Sequence, residues 1–137
     1  MLPYVELVIQ QGFADCGIAS LAMLTGRPYA DVLTSAVTTQ KAAPHKGGMK
    51  TKQIIATAAR LGLKMALRRT FDIEQDCGLL SVERITPKVN QWMQHMVLLK
   101  WGLVFDTDGK VWEPDVFFVQ HGFRPLSLLV VLGGTTE

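Results

Sequence analysis

Apolar residues in the first half of the chain recur at the spacing of a helix with one buried face. The pattern is broken by glycines and by a proline, which are typical of helix ends and helix starts. Three helices are predicted, at residues 15–24, 28–37 and 51–61, and a loop is predicted at 39–48. The first half of the chain is therefore expected to be helical.

From residue 63 onward the chain consists of short apolar or alternating runs separated by turn signals. Trp101-Gly102 and Asp108-Gly109 are such turns, and pairs of this kind join antiparallel strands. Strands are predicted at residues 63–69, 78–82, 95–100, 103–106, 110–113 and 126–132. Helices followed by antiparallel strands predict an α+β fold and not a doubly wound parallel sheet.

Composition narrows the class of protein without indicating a function. With 137 residues, of which 48% are hydrophobic, the chain fits a single domain over residues 1–137. Two cysteines are too few for a disulfide scaffold or a four-cysteine zinc site. We therefore expect two free thiols in a reducing, cytoplasmic protein.

No membrane segment or signal peptide is expected. The apolar run at 126–132 is far shorter than the roughly 18 residues that a membrane span needs. Glu6 interrupts the apolar N-terminal stretch, which has no basic segment before it. Eight Lys or Arg and no acid lie between residues 41 and 69. This basic stretch is interpreted as a solvated surface, with docking of an acidic partner or of nucleic acid as the less favoured alternative.

Cys16 lies at the start of the first predicted helix. A thiol there faces the positive end of the helix dipole, which favours the thiolate form. Gly17 would let a substrate backbone approach closely. The side-chain amide of Gln10, or of its competitor Gln11, could donate an N–H to a developing oxyanion. Taken alone, Cys16 could equally be a buried structural cysteine.

His95 begins a predicted strand, and the hairpin around Trp101-Gly102 directs the next strand back toward it. This pairing predicts that Asp106 and Asp108 leave the same face as His95. An imidazole beside a carboxylate is a common arrangement for a catalytic base. The alternative is a strand-edge histidine followed by two turn-forming aspartates.

The order Gln10, Cys16, His95, Asp106 resembles that of the papain-like cysteine peptidases. More narrowly, it resembles the peptidase domain of bacteriocin-exporting transporters, which removes leader peptides after a double glycine. The likeness rests on four features. Gln10 lies six residues before Cys16, which is the centre of an Asp-Cys-Gly string, and an Ala-rich predicted helix follows that string. Leu-Gly-Leu lies at 61–63, and a His followed by apolar residues lies at 95–99.

This resemblance implies a papain-like fold, in which N-terminal helices pack on a C-terminal antiparallel β-sheet with a cleft between them. By analogy, Cys16 would be the nucleophile, His95 the base, Asp106 its orienting acid and Gln10 an oxyanion donor. No cofactor and no metal are implied. A metal site built from the Cys, His and Asp is disfavoured by the helix-start position of the thiol.

The chain departs from the family pattern at the acidic residue after His95 and in its length. Family members usually carry Asp-Pro, whereas Asp106 is followed by Thr107. Asp106 is preferred over Asp108, with Glu113 and Asp115 behind them. The transporters also carry membrane and ATPase domains that are absent here. A stand-alone enzyme of phage or bacterial origin, or a relative with a different substrate, is therefore expected.

The predicted function is thiol-dependent hydrolysis of a peptide or isopeptide bond in a peptide or protein substrate. Amidase, deconjugase and acyltransferase activities stay open, as does the oligomeric state. The alternative is a catalytically silent papain-like protein that binds or inhibits a protein partner. Nucleic acid and membrane partners are not expected.

The remaining candidate residues are given structural interpretations. Cys77 is predicted to be a core thiol, because no base is placed beside it. His45 and His121 are predicted to be surface residues. The double glycine at 133–134 is interpreted as the turn after a buried last strand, although cleavage of the chain by itself at this pair is conceivable.

Overall fold

The computed structural model of the protein describes residues 4–12, 14–39, 48–86 and 93–133. Four helices lie within these ranges: α1 (Cys16–Thr25), α2 (Tyr29–Val37), α3 (Thr51–Arg60) and α4 (Pro114–His121). The six strands are β1 (Lys64–Arg68), β2 (Gly78–Arg84), β3 (Gln94–Lys100), β4 (Leu103–Phe105), β5 (Val111–Trp112) and β6 (Phe123–Gly133). The predicted α+β class is confirmed, whereas the predicted loop at 39–48 lies mostly outside the described residues.

The N-terminal helices begin and end close to the predicted positions. Helix α1 ends at Gly26, whose left-handed φ of 70° lets its N–H donate to the carbonyl of Ala22. Pro28 directly precedes α2. Its lack of an N–H does not weaken the helix, because N–H groups at a helix start have no acceptor within the helix. Before α3, the N–H of Lys50 donates to Oε1 of Gln53 at 2.7 Å. Local sequence signals thus account for these boundaries.

The six strands form one antiparallel sheet in the order β1-β6-β2-β3-β4-β5. The last strand therefore inserts between the first two. Strands β2 and β6 approach closely at Gly78, where an added Cβ would lie only 1.9 Å from the carbonyl oxygen of Leu129. Glycine is consequently required at this pairing.

Both faces of the sheet are covered, and β3 shows this most clearly. Met96 and Leu98 join a core cluster shared with α1, α2 and α3. Val97 and Leu99 join a second cluster that includes Phe117 of α4. Because alternate residues of a strand point to opposite faces, β3 is buried on both sides. His95, at the N-terminal end of this strand, is thereby held in a rigid frame.

The C-terminal part differs from the sequence prediction in two respects. Helix α4 was not predicted, although Pro114 at its start and Gly122 at its end, with a φ of 67°, are typical helix boundaries. Strand β6 begins at Phe123, earlier than predicted. It passes through Pro125, opposite which the register of β2 shifts between Ser81 and Val82. A proline cannot donate to the ladder, which accounts for the irregularity.

Candidate active site

The hairpin β3–β4 carries the two polar residues at the centre of the site. Its turn has two consecutive positive φ angles, 56° at Trp101 and 70° at Gly102, as in a type I′ turn. The pairing Lys100↔Leu103 continues to Phe105, where β4 ends. The chain then turns, and the N–H of Asp106 donates to the carbonyl of Lys110 at 2.9 Å. This register directs the Asp106 side chain toward β3.

His95 and Asp106 form a buried ion pair. Nε2 of His95 lies 2.8 Å from Oδ1 of Asp106, and the two side chains are 1% and 7% exposed. The backbone N–H of Thr107 donates to the same carboxylate oxygen at 2.7 Å. Asp108 is exposed, and its Oδ1 accepts the N–H of Lys110 at 3.0 Å. Of the two candidate carboxylates, Asp106 is the one that reaches the imidazole.

The thiol of Cys16 is brought to the same imidazole from the other half of the chain. Cys16 is the first residue of α1 and is half-buried, and its interaction with the His95 side chain raises the pKa of His95. Helix α1 is fixed to β3 by the hydroxyl of Ser20, which donates to the carbonyl of Met96 at 3.1 Å. The N–H groups of the first helical turn have no acceptors within the helix. The thiol therefore lies between backbone donors and a base.

The contacts of His95 determine its protonation. Burial lowers the pKa of His95, but the interactions with Asp106 and Cys16 together outweigh it and raise the pKa to about 9. Burial acts to raise the pKa of Asp106, but the hydrogen bond and charge of His95 lower it overall. At neutral pH the pair is therefore an imidazolium and a carboxylate.

Gln10 is connected to this pair through Thr107. The backbone N–H of Gln10 donates to the Thr107 carbonyl at 2.8 Å, and the hydroxyl of Thr107 donates to Oε1 of Gln10. One N–H of the Gln10 amide donates to the carbonyl of Gly12 at 2.7 Å. Thr107 is buried and was missed in the sequence analysis. Its position directly after the acid was the available signal.

A second missed residue, Asp15, organises the loop between Gln10 and Cys16. Its buried carboxylate accepts the backbone N–H groups of Gln11 and Gly12 at 2.7 and 2.9 Å and the hydroxyl of Tyr29 at 2.6 Å. Burial and then the hydrogen bond to Asp15 raise the pKa of Tyr29. Because its side chain is occupied in this way, Asp15 does not cap α1.

Three further residues can be compared with their predictions. Gly17 is buried, and an added Cβ would lie in ordinary van der Waals contact with the Ile54 side chain on α3, at 3.4 Å; that Gly17 makes room for a substrate backbone stays a prediction. Cys77 packs against the first core cluster, as predicted, and burial raises its pKa although Lys100 opposes this. His121 is not a surface residue: it is half-buried and stacks on Phe123.

Other expectations concern metals, membranes and residues without a description. His45 and the second glycine of the pair at 133–134 lie outside the described residues. Within the described ranges, no three His, Cys, Asp or Glu side chains come together as metal ligands would. None of the described helices has the length and apolar character needed to cross a lipid bilayer.

Comparison with known proteins places the chain in a family. The sequence model of the Peptidase C39 family matches residues 4–99, a range that includes Gln10, Cys16 and His95 and stops before Asp106. No curated protein matches the chain. The match covers most of the chain, and the helices packed on an antiparallel sheet are consistent with a papain-like fold. The chain belongs to the Peptidase C39 family and has a function of the cysteine-peptidase type.

Proposed function

We propose that the protein hydrolyses a peptide or isopeptide bond with Cys16 as nucleophile, His95 as proton carrier and Asp106 as the group that orients His95. One observation carries this proposal: Nε2 of His95 contacts the Asp106 carboxylate at 2.8 Å, and the pKa of the same imidazole is raised by both Asp106 and the Cys16 thiol. A nucleophile, a base and an orienting group linked in this order form the arrangement that activates a weak nucleophile.

In the acylation step, the sulfur of Cys16 attacks the carbonyl carbon of the scissile bond, after its proton has passed to His95. The backbone N–H of Cys16 and the amide of Gln10 donate hydrogen bonds to the resulting oxyanion. The C–N bond then breaks, and the leaving amine takes its proton from His95. The products of this step are a thioester on Cys16 and a free amine.

In the second step, a nucleophile attacks the thioester. His95 accepts a proton from a water molecule, the C–S bond breaks, and the acyl group leaves as a carboxylic acid. If an amine attacks instead of water, the same site acts as an acyltransferase. Amidase and deconjugase activities differ only in the amine that leaves. A peptide or protein substrate follows from the family, and the two free cysteines suit a reducing compartment such as the cytoplasm.

The first experiment compares the alkylation rates of the two thiols by iodoacetamide at pH 7. We expect Cys16 to react at least tenfold faster than Cys77, because it has a base beside it whereas burial raises the pKa of Cys77. Cys77→Ser is the matched control and should leave the fast phase unchanged. His95→Ala should slow it. Equal reactivity of the two thiols, or a fast phase that ignores His95, would contradict the proposal.

Turnover separates an enzyme from a binding protein. We expect wild type, but not Cys16→Ser, to release nitrophenolate from N-acetylglycine p-nitrophenyl ester beyond one equivalent. One equivalent without turnover would show a reactive thiol that does not complete the cycle. That outcome would favour the catalytically silent binding or inhibitor protein instead.

A further inference from the structure

A pocket of about 540 Å³ adjoins the candidate site. Gln10, His95 and Asp106 belong to both the site and the pocket lining, whereas Cys16 is not among the lining residues. The lining also includes Arg84 and two side chains from the α4–β6 region, His121 and Phe123. The volume is in the range of pockets that hold small ligands.

Arg84 gives this pocket a fixed cation. Its guanidinium lies over the Phe123 ring, 5.0 Å from the ring centroid, and one terminal N–H donates to the carbonyl of His121 at 3.1 Å. The Nε atom is buried and has no hydrogen-bond partner among the described residues. Neither ion pair found in the described part of the chain involves Arg84. Among the described residues, the guanidinium is therefore held in place without a counter-charge.

The acids of the lining do not neutralise Arg84. Asp106 is paired with His95, so these two charges cancel. Asp108 is exposed and already accepts the N–H of Lys110, and an exposed charge is screened by solvent. A guanidinium without an ion-pair partner among the described residues favours a carboxylate, which guanidinium groups bind with matched geometry.

The position of the pocket indicates which part of a substrate enters it. After attack, the acyl part is bonded to Cys16, and the leaving amine departs toward His95, its proton donor. A pocket that borders His95 but not Cys16 lies on the leaving side. Resting on the proposed function, we infer that this pocket is a specificity site for a carboxylate on the leaving-group side of the scissile bond, with Arg84 as its recognition residue.

The carboxylate could be an acidic side chain or the free C-terminus of a short leaving fragment. Attack of an amine on the thioester is the reverse of the step in which the leaving amine departs. Added amines therefore bind on the leaving-group side, and they test it without knowledge of the natural substrate. Cys16 is acylated with N-acetylglycine p-nitrophenyl ester, and a dipeptide is added. Its α-amine attacks the thioester carbonyl and forms a C–N bond, the C–S bond breaks to release the Cys16 sulfur as a thiolate, and His95 accepts the proton that the amine loses.

Three dipeptides with the same N-terminal glycine separate the two sources. Gly-Asp amide carries only a side-chain carboxylate, Gly-Gly carries only a terminal one, and Gly-Asn amide carries neither. Chromatography measures the ratio of peptide product to N-acetylglycine. We expect at least one carboxylate dipeptide to intercept the thioester about fivefold or more better than Gly-Asn amide in wild type. Whichever of Gly-Asp amide and Gly-Gly intercepts the thioester better shows whether the pocket takes a side-chain or a terminal carboxylate.

Substitutions then test the residue. Arg84→Gln should abolish the advantage of the carboxylate dipeptides, while Arg124→Gln should keep it. Arg124 is a matched control because it lies on the neighbouring strand and pairs with Glu83, its side chain being 63% exposed. Circular dichroism checks that both variants fold. If Arg84→Gln does not fold, the comparison of dipeptides in wild type still decides whether the pocket selects a carboxylate.

The outcomes distinguish the two proposals. Nitrophenolate release with equal interception by all three dipeptides overturns the carboxylate site and leaves the proposed hydrolysis standing. A carboxylate advantage that survives in folded Arg84→Gln overturns the role of Arg84. No release above the Cys16→Ser background overturns both the proposed hydrolysis and the site that rests on it.

Discussion

Replacing Asp106 by Asn removes the charge beside His95 while keeping the shape of the side chain. The pKa of His95 is raised from 6.5 to about 9, a rise worth roughly 3 kcal/mol. A buried hydrogen bond to a charged group contributes about 1.5–3 kcal/mol. The bond to Asp106 can thus account for roughly half or more of the rise. We expect the pKa of His95 to fall by about 1–2 in Asp106→Asn.

Side-chain NMR between pH 5 and 10.5 measures this pKa directly. The chain has only three histidines, and the resonance lost in His95→Gln assigns the one in question. Asp108→Asn and Glu83→Gln each remove one carboxylate elsewhere and should leave the pKa within ~0.3 of its wild-type value. An unchanged His95 pKa in Asp106→Asn would refute the reasoning, as would an equal fall in Asp108→Asn.

The same substitution has a signature in stability. The pKa of His95 is higher in the folded than in the unfolded state, so its stabilisation is complete below about pH 6.5 and is lost as pH rises through about 9. The pKa of Asp106 is lowered by folding, so its contribution is present above about 3.8 and is lost as pH falls. In urea titrations, Asp106→Asn should therefore be less stable than wild type at pH 6, and the difference should shrink toward pH 10.

Three other substitutions test contacts outside the thiol–imidazole pair. Thr107→Val removes the hydroxyl that donates to the Gln10 side chain. It should lower kcat about tenfold with KM little changed, because a misplaced Gln10 amide loses its hydrogen bond to the oxyanion mainly in the transition state. Thr107→Ser should restore kcat, and an equal loss of kcat in both variants would contradict this role. Gly78→Ala places a methyl carbon 1.9 Å from a carbonyl oxygen of β6, so it should lower the free energy of unfolding by about 3 kcal/mol or more. An unchanged urea midpoint would show that β2 and β6 can move apart at this position. Tyr29→Phe removes a donor to the buried Asp15 and should cost about 1.5–3 kcal/mol in the same urea assay, whereas the exposed Tyr4→Phe should cost nothing.

The contact between His95 and Asp106 could be anticipated because it depends on local rules. The turn at Trp101-Gly102 determines which residues pair across the hairpin, and strand alternation determines their faces. The same rules did not separate Asp106 from Asp108. That choice depends on where β4 ends and on the hydrogen bond from the Asp106 N–H to Lys110, which is a detail of the turn.

Contacts between distant segments could not be read from the sequence in this way. Thr107 meets Gln10 across 97 positions, and Asp15 meets Tyr29 through the packing of α1 against α2. Neither pair leaves a periodic pattern. Gly17 shows a contact of the same kind, because nothing in the sequence indicates that it packs against Ile54 on another helix.

The separation of the site residues along the chain has a consequence for how the protein acquires its reactivity. Asp106 follows His95 by 11 positions, so the hairpin can bring them together early, whereas Cys16 must arrive over a loop of 79 residues. Closing the longer loop costs about 1.7 kcal/mol more in chain entropy, and packing of the N-terminal helices against the sheet offsets this cost. A fast-reacting Cys16 thiol would thus report that the two halves of the chain have assembled, and its alkylation rate during refolding would measure how far this assembly has proceeded.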